Sequence, residues 1–156
     1  MKVILVGQAP TRPGAREAFE CGSASAATLE RLLLFQPGEL LRRVDAVNLA
    51  LDFPGRVGPG VSGDRVPSRD QRRADEVAAF AATYDRVIAC GAFVARSLGM
   101  SDLDPILEWL PWRGTLACRL PHPSGANRWW NAPENRRAAT RFLREVVPPR
   151  YAWEMP

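Results

Sequence analysis

Val3-Ile4-Leu5-Val6, followed by Gly7-Gln8-Ala9-Pro10-Thr11, is the stretch on which the fold turns. Four apolar residues without alternation read as a strand buried on both faces, and a glycine turn ends them. Residues 44–49, 86–90 and 115–120 repeat the pattern. Helical periodicity fills the intervals. Ser25 is placed to cap a helix with Leu29, Leu32 and Leu33 on one face, and residues 39–43 add a short turn. Ser68 and Gln71 have capping-box spacing for a helix reaching about Tyr84. Residues 92–98 form a helix that Gly99 stops. Pro133 suits the first turn of a last helix, which Pro148-Pro149 ends. In it Ala138, Phe142 and Val146 recur every four residues, while Arg137, Arg141 and Arg144 point elsewhere. Strands alternating with helices predict one α/β domain over residues 1–156, with a central four-stranded parallel sheet covered on both faces.

An apolar share of 46% is enough for a core between sheet and helices. No apolar run approaches the ~18 residues of a membrane span, and the run after Lys2 is too short for a secretory signal, so a cytoplasmic protein is expected. Cys21, Cys90 and Cys118 show no C-x-x-C spacing. Cys90 and Cys118 lie in apolar runs, where cysteine behaves as a small hydrophobe. With one histidine besides, neither a disulfide framework nor a metal site is expected. The formal net charge is +4, and of the 21 basic residues only Lys2 is not arginine. A GC-rich genome favours arginine codons; equally, arginine's planar fork suits phosphate. The charge permits a nucleic-acid partner without establishing one. Residues 53–69 hold four glycines and three prolines without periodicity and read as a long surface loop.

Polar punctuation falls at the carboxyl ends of all four strands, the edge where open α/β sheets build their sites. Gly7 to Thr11 follows the first, Asn48 lies near the end of the second, Gly91 closes the third, and Pro121-His122-Pro123-Ser124-Gly125 follows the fourth. His122 is held between two prolines. A lone histidine is more often structural, but this rigid mount favours a donor that stabilises negative charge. Asn48 in Val47-Asn48-Leu49 is either a strand-end amide satisfied by backbone or a reader of a pyrimidine edge. Phe19 is either core or a stacking partner for a base. In Asn127-Arg128-Trp129-Trp130-Asn131 two adjacent tryptophans cannot both face one core. The segment is either a packing anchor or a place where arginine and aromatics pair phosphate contact with stacking.

Gly7-Gln8-Ala9-Pro10 resembles the first motif of the uracil-DNA glycosylase superfamily, and His122-Pro123-Ser124 resembles its second. Phe19 to Gly22, Val47-Asn48 and Val87 to Ala92 fall between them in that superfamily's order, so the similarity extends over residues 2–143. The resemblance implies a three-layer α/β/α fold, a monomer acting on a base flipped from single- or double-stranded DNA, and no cofactor. Asn48 would read the base edge, Phe19 would stack on it, and His122 would hydrogen-bond the base oxygen as the base leaves as an anion. Ser124 and backbone N–H groups near Gly7 would hold phosphates, with Gly125, Asn127, Arg128 and Trp129 as further DNA-binding residues.

There are three departures from the family pattern. Where relatives carry an acid or asparagine that positions water, this chain has Gln8 and Ala9, leaving Glu17, Glu20, Asp45 and Asp52 as substitutes. The large residue that screens out 5-substituted bases corresponds to Thr11, which leaves room beside C5. The intercalating leucine corresponds to Ala126, so Arg128 or Trp129 would act as the wedge. The cluster cysteines of the thermostable branch are absent, and no iron–sulfur cluster is expected. The resulting expectation is a monofunctional DNA glycosylase releasing uracil or a modified pyrimidine, in repair or in removal of modified bases from phage DNA. A non-catalytic binder of flipped bases and a base-modifying enzyme on the same fold are the alternatives.

Overall fold

The computed structural model describes residues 1–15, 17–58, 61–69, 72–100, 106–124 and 127–147. In chain order they form β1 (Val3–Gly7), α1 (Ala24–Leu33), a 3-10 turn (Leu40–Arg42), β2 (Asp45–Asn48), β3 (Arg56–Gly58) and β4 (Val61–Asp64). There follow α2 (Ala74–Ala81), β5 (Arg86–Cys90), α3 (Ala92–Ser97), β6 (Leu110–Trp112), β7 (Thr115–Leu120), a second 3-10 turn (Arg128–Asn131) and α4 (Pro133–Val146). No described helix is long and apolar enough to cross a membrane.

The sheet runs β2-β1-β5-β7-β6. Its first four strands are parallel and correspond to the four apolar runs. The expected all-parallel sheet is corrected to a mixed one, because β6 pairs antiparallel with β7 through a tight turn at Arg113 and Gly114, both at positive φ. Three residues including Pro111 carry no readable period, and proline confines such a strand to an edge. β1 lies between two partners and every residue of it is buried. Successive side chains pack on opposite faces. Val3 and Leu5 join α1 and α4, with Leu29, Leu143 and Phe142, in one cluster, while Ile4 and Val6 join Val77 of α2 and Val94 of α3 in another.

Local expectations shift in detail. Ser23, not Ser25, caps α1, accepting from Ala26 N at 3.2 Å. α2 starts after Arg73 with no side-chain cap, so Ser68 caps nothing there; Gln71 lies outside the described residues, as do Pro148-Pro149. In α4 the buried stripe is Ala139, Phe142, Leu143 and Val146, and Ala138 is exposed. Residues 53–69 are not merely a loop: β3 and β4 pair there as a short antiparallel hairpin, too brief for alternation to show in sequence.

Candidate functional site

Register brings the punctuating residues together. Gly7 pairs with Asn48 across β1 and β2, and β5 ends beside β7, where Gly91 N donates to Leu120 O at 2.7 Å. From β1 the chain first adds β2 on one side, then returns to place β5 on the other. A parallel sheet opens a crevice at such a reversal. Gln8, Ala9, Thr11, Phe19, Asn48, His122 and Ser124 line one cavity there, of about 460 Å³, within the usual range for small-molecule sites.

Close approach explains the glycines at this edge of the sheet. A Cβ on Gly7 would collide with Asn48 Oδ1 and come within 3.3 Å of the Phe19 ring, so the bare α-carbon seats both side chains. Gly91 has φ 107°, and a Cβ there would meet His122 Cβ at 3.2 Å and Cδ2 at 3.3 Å. The imidazole therefore rests against a backbone position that only glycine fills without strain. Phe19 is buried at φ 53°, a costly conformation for a bulky residue and one that concentrates at ligand clamps. Asn48 is 8% exposed, and its Nδ2 is buried without a hydrogen-bond partner among the described residues. Leaving such a donor unpaired costs about 1–3 kcal/mol.

The mount of His122 is built from the segment that follows it. Its carbonyl oxygen accepts from Asn127 Nδ2 at 3.0 Å and from Trp130 Nε1 at 2.8 Å. Asn127 Oδ1 in turn accepts from Trp129 N at 3.1 Å, capping the 3-10 turn. Asn127 thus holds the histidine loop in shape. Trp130 is buried and Trp129 half-buried, edge-on to it with ring centroids 4.7 Å apart. Trp129 faces a depression behind His122 with Ala92 and Arg119, and Arg128 is exposed. Gly125 and Ala126 lie outside the described residues.

The cavity favours negative charge. Its rim includes Ser23, Ala24 and Ser25 at the start of α1, whose first-turn N–H groups have no helical partner and whose first turn carries no acid. Arg56 of β3 and Val66, just beyond β4, also line the cavity, and Gln8 Nε2 donates to Arg65 O at 3.4 Å. Sequence reasoning missed both residues; each lies in the stretch read as an aperiodic loop.

No family model and no curated protein sequence matches this chain.

None of the four substitute carboxylates lines the cavity. Glu20 pairs with Arg12, whose guanidinium pKa rises through that hydrogen bond. Glu17 and Asp45 border a separate depression on the β2 side, and Asp52 is exposed. Among the described residues no cluster of histidine, cysteine or carboxylate side chains could hold a metal. The chemistry on offer is an aromatic face, an unpaired amide donor, an imidazole on a rigid mount and a dipolar rim. It suits a flat heterocycle that gains negative charge.

Proposed function

We propose that this protein is a monofunctional DNA glycosylase that takes a pyrimidine out of the stack and hydrolyses its bond to C1′ of the sugar. The observation that carries the reading is Asn48. A buried amide donor without a partner, on the wall of a cavity it shares with Phe19 and His122, calls for a ligand acceptor, and the Watson–Crick edge of a flipped base supplies one. Phe19 stacks on the ring. The C1′–N1 bond breaks with its electron pair leaving on the base. His122 donates to the base oxygen that gains charge, and water adds to the oxocarbenium-like C1′, releasing a proton to solvent. Uracil and 5-substituted pyrimidines are the substrates this pocket favours, because Thr11 is small where a larger residue would crowd C5.

The test is release of base from DNA carrying uracil, thymine, hydroxymethylcytosine or glucosylated cytosine, read as abasic sites. At least one substrate should be cleaved by the wild type. His122→Ala should slow release about a hundred- to thousand-fold, the loss of ~3–4 kcal/mol seen when an anion-stabilising donor is removed. Binding should change little. Equal losses of binding and rate would make the histidine structural.

The cavity wall without a carboxylate favours one second reading, a non-catalytic binder of flipped bases. Tight, base-selective binding with no abasic product on any of the four DNAs would establish it.

A further inference from the structure

Apart from the cavity at the strand ends, a furrow of about 1140 Å³ runs between α1 and α4. Arg31 of α1 and Arg136, Arg137, Arg141 and Arg144 of α4 line it, against a single acid, Glu145. Five arginines less one glutamate is +4, the formal net charge of the whole chain. Codon bias would scatter arginines over the surface. Here the excess collects in one furrow.

Four of these five arginines have no described partner in the fold. Arg31, Arg137, Arg141 and Arg144 are exposed and make no ion pair with a described carboxylate, and Arg136 donates to the Trp130 carbonyl at 3.1 Å. Arg137, Arg141 and Arg144 recur at intervals of four and three residues and so form one stripe on α4. Seven residues at ~1.5 Å each make that stripe about 10 Å long. It parallels about three phosphates of a strand at ~3.4 Å of axis each. Leu32 and Trp130 supply a less polar floor.

The furrow joins the cavity already described. Ser124 lines both, and α1 begins at the cavity rim with Ala24 and Ser25 and carries Thr28 and Arg31 along the furrow. α4 follows the 3-10 turn whose Trp130 holds the His122 carbonyl.

We propose that the α1–α4 furrow is a track for the phosphates of the nucleic-acid strand that flanks the base held at Asn48 and His122. The proposal rests on the glycosylase reading for the identity of that base, but the furrow's charge stands apart from any chemistry at His122. A strand laid from Ser124 along α4 would place successive phosphates against Arg137, Arg141 and Arg144, with Arg31 on the opposite wall.

Fluorescence anisotropy of labelled oligonucleotides, single-stranded and duplex, at 50 to 200 mM salt tests it with the full chain. The double variant Arg137→Ala/Arg141→Ala should flatten the dependence of log affinity on log salt by about two units, one for each lost phosphate contact. Arg113→Ala, on the exposed turn between β6 and β7, should leave the slope alone. A lysine pair, Arg137→Lys/Arg141→Lys, should restore most of it. A melting temperature measured for each variant separates lost contacts from lost folding. An unchanged slope in a folded alanine variant overturns the track even if base release is measured, and absence of DNA binding by the wild type overturns it too. A flattened slope in a protein that releases no base from any DNA keeps the track and removes the glycosylase.

Discussion

On the proposed function, Asn48 is where stability and function pull apart. A buried amide donor without a partner destabilises the folded chain, so a structural asparagine at this place would be a poor choice. Asn48→Leu removes the orphan and keeps the size of the side chain. The melting temperature should hold or rise, by up to about 1–3 kcal/mol of stability, while base release falls about ten- to hundred-fold. Calorimetry and single-turnover kinetics on the same preparation check both halves. A large loss of stability would mean that the amide serves the fold. Gly7 and Phe19 belong to the same compromise: the glycine concedes its side chain to the asparagine, and the phenylalanine adopts a left-handed backbone to reach the α-carbon so exposed. Gly7 was legible as the turn that ends the first strand, and Phe19 as either a core residue or a stacking partner. Their mutual contact was not, because it joins Gly7, Phe19 and Asn48 across chain separations that no local pattern records.

At the level of elements, the hairpin arm of β3 and β4 sets the outer limit of the cavity. Thr11, Arg56 and Val66 are exposed residues of its lining. The cavity they line measures about 460 Å³. Thr11→Tyr should therefore narrow the mouth and lower the rate on large 5-substituted pyrimidines relative to uracil by about ten-fold or more, a steric effect of ~1–3 kcal/mol. Side-by-side rates on the two DNAs check it. An unchanged ratio would mean that Arg56 and Val66 alone set the limit. The arm escaped sequence reading because strands of three and four residues show too little alternation. β6 escaped for the same reason, with Pro111 added. Longer elements were legible: α4 is 14 residues long, and its arginine-bearing face stood out from sequence although its buried face starts at Ala139.

Across the whole molecule, the thiols report on the core. Cys90 and Cys118 are buried in the cluster beneath α1 and α4, and burial pushes both thiols well above the ordinary range, Cys118 further through Cys90. Cys21 is exposed. The native chain should take up one alkylating label at pH 8 and three after denaturation. The linkage has a definite sign. The folded thiols keep their protons while the unfolded ones lose theirs above about pH 8.5, so stability is full below that pH and falls as pH rises. The slope is about 1.4 kcal/mol per pH unit for each thiol. Denaturant titrations between pH 7 and 10 measure it, and a flat profile would contradict the buried assignment.

Sequence alone determined the four parallel strands and the glycine or polar residues that punctuate their carboxyl ends. Apolar runs and glycine turns are local, and a parallel strand buried on both faces writes itself as such a run. It also singled out His122 and Asn48, since a polar residue at a strand end contrasts with its apolar neighbours. Only the tertiary structure decided the strand order that opens a crevice beside β1, the antiparallel edge at β6 and the contact of Asn48 with Gly7. It alone brought Arg31 opposite Arg137, Arg141 and Arg144. Those facts depend on pairing and packing between segments far apart in the chain. Periodicity, which compares a residue only with its near neighbours, cannot hold them.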